Sequence, residues 1–270
     1  MFTSRQEVES KGLAGVAVKS YTINGLNMLV TRQLSSYELC VKAEDPGISK
    51  HFLEEGFWES WITLWISRNV KPGSFCIDGG SNYGYFTFLL AHMGCRVVAV
   101  EPNLDLLPYI FTSAKLNECT DRVDVWNRAI TDKNNETINI GLLPSSLNTT
   151  VVDRNDLIGY LPVHTVTLDA IAKHYALPVD FIKLDIEGAE EKAWHGMKNL
   201  VFNNPQCVIL MEFVPDHYAE NGKLFFEEIQ KTHNITYVDY SGTEQPISYD
   251  FIAKDTEPFR MLVLRLKIKP

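Results

Sequence analysis

From about residue 74 the chain repeats one pattern: a short, almost wholly apolar run, a turn, then a stretch of helical spacing. The runs are Phe75-Cys76-Ile77, Val97–Val100, Val123–Val125, Phe181–Leu184 and Val208–Met211. Helical patterns lie between and after them, over about 84–93, 104–117, 187–202 and 222–232. Near-continuous apolar strands alternating with helices need a sheet covered on both faces, which predicts a doubly wound, Rossmann-like α/β fold. Ile235–Val238 and Met261–Leu266 follow as an antiparallel pair at the sheet edge. One domain over residues 70–270 accounts for all of this. Residues 1–69 read as a cap without a core of its own: Tyr21–Val30 and Tyr37–Ala43 as a hairpin or edge strands, then a helix over about 50–69. Trp58, Trp61 and Trp65 fall on one face of that helix, as a core stripe or as a lid or dimer face.

The densest signal is Asp78-Gly79-Gly80-Ser81-Asn82-Tyr83-Gly84, where a buried strand runs into a glycine-rich turn and a helix. Glycines there let the backbone turn tightly and a ligand come close. The dinucleotide pattern Gly-x-Gly-x-x-Gly fails, since Ser81 and Asn82 stand where its second glycine would be. Asp78 argues the same way, because a carboxylate before the turn repels a pyrophosphate. It suits a ligand with an ammonium group, and S-adenosylmethionine carries one beside its sulfonium. Glu101 ends the next strand, where a carboxylate can accept both hydroxyls of a ribose. A plain strand-end acid at the helix opened by Pro102 and Asn103 is the other reading of Glu101.

Asp-x-Gly-x-Asn-x-Gly followed by Glu101-Pro102-Asn103 resembles the first motifs of class I S-adenosylmethionine-dependent methyltransferases. Thr165–Asp169, then Phe181-Ile182-Lys183-Leu184-Asp185-Ile186-Glu187-Gly188-Ala189-Glu190 and Val208–Glu212, is similar to the FkbM family in particular. The resemblance spans roughly residues 70–215, and Ser81 stands where the family usually has Ala. It implies methyl transfer, usually to oxygen, on sugars and natural-product scaffolds. It also implies that Asp78, Gly79, Gly80, Ser81, Asn82 and Gly84 surround the methionine part of the cofactor. Glu101 would hold the ribose, with Pro102 and Asn103 beside it. Asn127 is the candidate for the adenine end, with Ala129 behind it.

Ligand crevices of open α/β sheets lie beyond the carboxyl ends of the strands. Asp185, Glu187 and Glu212 stand at such ends. A hydroxyl acceptor must lose its proton during attack, so it needs a base or a metal. Asp185 is the leading base. Asp185 and Glu187 also read as caps of the helix near Gly188, and Lys183 as an ion-pair partner for one of them. Mg²⁺ held by Asp185 and Glu212 is the rival arrangement, though two acids fall short of the roughly six oxygens that a hard cation takes. His217, in the loop after Glu212, is a third candidate to take the proton. Ser145, Ser146, Asn148 and Thr149, in the polar stretch 142–161, are acceptor contacts or plain loop.

A net charge of −9 disfavours a nucleic-acid acceptor. No apolar run is long enough to span a membrane, and the first fifteen residues lack the apolar stretch of a secretory signal. A cytoplasmic enzyme with a small-molecule or glycan acceptor, and with a homodimer as a candidate assembly, is the expectation. Five widely spaced cysteines with no CxxC pair read as buried thiols. N-methylation of an amino sugar or peptide, and a nucleoside-binding module without catalysis, remain the alternatives.

Overall fold

The computed structural model describes residues 2–23, 25–43, 45, 47–143, 149–150, 157–254 and 259–267. In chain order the elements are α1 (Arg5–Gly15), β1 (Lys19–Ile23), β2 (Leu26–Gln33), β3 (Tyr37–Lys42), α2 (Ile48–Glu54) and α3 (Ser60–Asn69). There follow β4 (Phe75–Gly79), α4 (Tyr85–His92), β5 (Arg96–Val100), α5 (Leu107–Leu116), β6 (Val123–Trp126) and β7 (Ala129–Ile130). The middle of the chain holds β8 (Thr137–Leu142), β9 (Thr149–Thr150), β10 (Gly159–Val166), α6 (Leu168–Tyr175), β11 (Phe181–Leu184), α7 (Glu190–His195) and α8 (Lys198–Asn203). The last are β12 (Val208–Phe213), α9 (Gly222–Thr232), β13 (His233–Val238), β14 (Glu244–Pro246), α10 (Tyr249–Ile252) and β15 (Arg260–Leu266).

The main sheet has the order β14-β13-β15-β12-β11-β4-β5-β6. Its strands from β12 to β6 are parallel, and β15 and β13 add antiparallel pairs. Side chains alternate between its faces. Cys76, Phe181, Leu210 and Val263 enter one core, whereas Ile77, Ile182, Ile209 and Leu264 enter the other. Both faces are therefore covered, the doubly wound α/β arrangement. The closing pair is present, with β15 inside the sheet between β12 and β13.

Four expectations from sequence change. The segment at 50–69 is two helices, because Gly56 takes a positive φ of 69° where a Cβ would run into the carbonyl of Gly12 on α1. Trp58 thus lies between α2 and α3, and the three indoles part company: Trp65 is core, its Nε1 donating to Glu244 (3.0 Å), while Trp58 and Trp61 are half-buried. The helix expected over 187–202 likewise breaks at Gly196, packed on the carbonyl of Thr131. The described residues of the polar stretch at 142–161 supply Leu142 of β8, the whole of β9 and the start of β10 to a second sheet, β7-β10-β8-β9, with Ala129, Ile140 and Val163 in its small core. Ser145, Ser146 and Asn148 lie outside the described residues.

The first seventy residues form the sheet β1-β2-β3 and helices α1 to α3. Val8, Met28, Leu39, Phe52 and Trp65 share one core with Tyr83, Leu89 and Phe181 of the main sheet and its helices. Polar bonds bolt the two together: Asn117 brackets Glu38 with two bonds (2.7 and 2.8 Å), and Tyr83 donates to Asp45 (3.0 Å). All five cysteines are buried and unbridged. Among the described residues no helix is long and apolar enough to cross a membrane.

Candidate active site

β4 delivers the glycine turn to the carboxyl edge of the sheet. Gly80 (φ 75°), Asn82 (φ 51°) and Gly84 (φ 90°) all take left-handed backbone, and α4 starts from the last of them. A Cβ on Gly80 would run into the carbonyl oxygen of Asp185, so the turn can lie against the end of β11 only as glycine. The amides of Gly80 and Ser81 donate to the carbonyl of Val100 (3.0 and 3.2 Å), tying the turn to β5.

Glu101 follows β5. Its two oxygens accept from the amides of Asn82 and Asn103, both at 2.8 Å. Burial pushes its carboxyl up to about 7 against those two amides. Asn127 donates to the carbonyls of Glu101 and Pro102 (both 2.9 Å) and so fixes the corner. Asp78 is 1% exposed. One of its oxygens accepts from Thr87 (2.6 Å), and the other has no partner among the described residues. Burial raises its pKa, with Lys183 and Thr87 pulling the other way.

The ends of β11 and β12 carry the acids. Parallel register sets Leu184 beside Met211, which makes Asp185 and Glu212 neighbours. Buried Lys183 donates to Asp185 (3.0 Å) with its ammonium 4.8 Å from the centroid of the Phe86 ring. Burial works against that ammonium, but Asp185, Asp78 and Glu59 outweigh it and hold it above the ordinary lysine value. Glu212 has an oxygen sealed from solvent and unpartnered among the described residues. Burial drives its pKa well up, and Asp185 adds to this. Neither Asp185 nor Glu187 is the N-cap of α7, which begins after Ala189 with no side-chain cap. Instead Glu190 reaches back to the amides of Ile186 (3.0 Å) and Gly188 (3.1 Å), and Tyr218 donates to it (2.9 Å).

One cavity of about 580 Å³ joins these parts, a volume typical of small-molecule sites. Gly80, Ser81, Asn82, Glu101, Pro102 and Ala129 line it at one end, and Asp185, Glu187 and Glu212 at the other. Asp78, Gly79, Gly84, Asn103 and Asn127 stand behind this wall as its frame. His217, in the 3-10 turn Pro215–Asn221, is not among the lining residues. Thr149 does line the cavity.

The sequence model of the methyltransferase FkbM domain matches residues 78–238, the turn, both acid-bearing strands and the helices between. The chain belongs to the FkbM methyltransferase family. It is a methyltransferase dependent on S-adenosyl-L-methionine. Solved structures that resemble it include an O-methyltransferase from Bacillus cereus in complex with SAH, at 15% identity and TM-score 0.43 over 83% of each chain. The C-terminal domain of a precorrin-6Y C5,15-methyltransferase from Rhodobacter capsulatus resembles it at 11% identity and TM-score 0.44, over 78% of this chain and 91% of that one. The Geobacter metallireducens precorrin-6y C5,15-methyltransferase does so at 11% and 0.43, over 83% and 95%. No curated protein matches the sequence.

The residues present fit the methyl donor of the family. The turn cannot carry a side chain at Gly80, and Ser81 presents a buried hydroxyl without a partner among the described residues. Among the described residues no three His, Cys, Asp or Glu side chains are placed together to hold a metal. Sequence reasoning passed over Glu59 and Arg128, which line the cavity, and the strut Glu190; Trp58 and Trp61, read there as a core stripe or as a lid or dimer face, line the cavity too. Glu190 was legible as the last acid of the Lys-x-Asp-x-Glu-Gly-Ala-Glu stretch. Glu59 was not, because it arrives from outside the matched residues.

Proposed function

We propose that this FkbM methyltransferase O-methylates a hydroxyl of a sugar, glycan precursor or natural product, with Asp185 as the base. The observation that carries the reading is the single cavity running from the glycine turn and Glu101 to Asp185 and Glu212. S-adenosyl-L-methionine supplies, when bound, an electrophilic methyl on a positively charged sulfur. Asp78 and the turn Gly79–Gly84 hold its methionine end, Glu101 its ribose, and Ala129 lies by the adenine end. The acceptor hydroxyl lies against the strand ends, between the indoles of Trp58 and Trp61 and the acids. Asp185, 28% exposed, is open to the cavity while Lys183 anchors one of its oxygens. As the acceptor oxygen attacks, its proton passes to Asp185. Alignment in such a site is worth about 7–11 kcal/mol of barrier, and a placed base a further 10²- to 10⁴-fold in rate.

The test is a screen of methyl glycosides, amino sugars and phenols with the labelled cofactor, repeated with Asp185→Asn. Labelled methyl on oxygen, falling by about 10²-fold or more in the variant at unchanged SAH affinity, is the expected result. Label confined to nitrogen, or an Asp185→Asn enzyme of full rate, would overturn it.

A further inference from the structure

Glu59 opens α3 with φ 39° and ψ 66°, a left-handed conformation that residues bearing a Cβ avoid. An acid at this position ordinarily accepts an amide of the first helical turn. Glu59 makes no such cap bond. Glu59 lines the cavity instead, and its Oε2 is shielded from solvent with no partner among the described residues. Strained residues kept against their backbone preference cluster at functional sites.

Its surroundings say what the carboxylate meets. Burial pushes Glu59 up to about 8, Asp185 adds to the rise, and Lys183 opposes it. Glu212 and the Tyr85 hydroxyl feel its charge in turn. The charges that act on Glu59, Asp185 and Lys183, stand at the end of β11, and register sets Lys183 beside Asp78 and Leu184 beside Gly79 of the glycine turn. The set has four acids, Glu59, Asp78, Asp185 and Glu212, against the ammonium of Lys183, which Asp185 already binds. A sealed, unpartnered carboxylate oxygen in such a place is completed by a cationic donor.

We propose that Glu59 receives the α-ammonium of S-adenosylmethionine, so that the segment ahead of the FkbM domain supplies part of the methyl-donor site. This rests on the cofactor lying at the glycine turn, as proposed above.

The full chain, Glu59→Gln and Glu59→Asp are titrated calorimetrically with SAH and with 5′-methylthioadenosine, which keeps the nucleoside and sulfur but lacks the amino-acid end. Glu59→Gln is expected to weaken SAH about 10- to 100-fold and the nucleoside less than about twofold, with Glu59→Asp losing less. At pH 7, in buffers of different ionisation heat, the natural chain releases about one more proton on binding SAH than Glu59→Gln does. Thermal midpoints of the three proteins confirm that each is folded. Equal losses for both ligands, or none for either, would overturn the assignment. A natural chain that binds no SAH would overturn the donor site itself, an outcome distinct from SAH binding indifferent to Glu59.

Discussion

Gly80 shows how much of the site hangs on one missing side chain. Its φ of 75° and its seat against the Asp185 carbonyl both exclude a Cβ. Gly80→Ala should cost about 2–5 kcal/mol, the left-handed penalty plus the displacement of β11. The check is a lower urea midpoint at unchanged m, with SAH affinity lost in parallel. Glu59 is the opposite case, a residue with a Cβ held where glycine would sit more easily. Glu59→Gly relieves both that backbone and a buried unpaired carboxylate. Its thermal midpoint should rise by about 2–4 °C for each kcal/mol recovered, while SAH binding weakens. A midpoint below that of the natural chain would show that Glu59 supports the fold rather than burdening it.

The site elements differ in what anchors them. The segment from Asp185 to Gly188 has no regular structure and takes positive φ at Glu187 and Gly188. Glu190 and Tyr218 hold it by three hydrogen bonds. Tyr218→Phe removes a bond to a buried carboxylate, a loss of about 1–3 kcal/mol. Calorimetry and urea unfolding should find stability reduced and SAH affinity nearly unchanged, because the glycine turn is tied to β5 instead. Legibility in sequence also divides by element. The inner strands β4, β5, β11 and β12 were readable because burial on both faces makes each a nearly continuous apolar run, and the edge strand β6 by Val123 and Val125. The turn was readable because strand, glycine and acid are local. The second sheet was not, since β7 and β9 are two residues each, too short to show a period, and the alternation of Ile138, Ile140 and Leu142 in β8 runs over only six residues. The breaks at Gly56 and Gly196 answer to atoms of distant segments, which local spacing does not record.

Across the whole molecule the buried acids set a pH dependence. Glu59 stands at about 8, and Glu101 and Glu190 at about 7, all above the ordinary 4.5. The folded chain thus binds more protons than the unfolded one between about pH 4.5 and 8, and stability falls as pH rises through that window. His233, lowered to about 4 by burial, works in the other direction but is spent above 6.5. Differential scanning calorimetry should therefore find the midpoint falling from pH 6.5 to 8, and less steeply with saturating SAH. A flat profile would mean that these acids are solvated.

The place of β15 in the sheet has a consequence for synthesis. This last of the strands lies between β12, which carries Glu212, and β13. A ribosome adding about 5–20 residues per second needs several seconds to pass from residue 213 to 266. Throughout that interval β12 is an open edge, its amides and carbonyls free to pair with any neighbouring strand. The nascent enzyme thus spends its most adhesive moments with this edge of the sheet unsealed, and protection by a chaperone matters most until β15 has been translated.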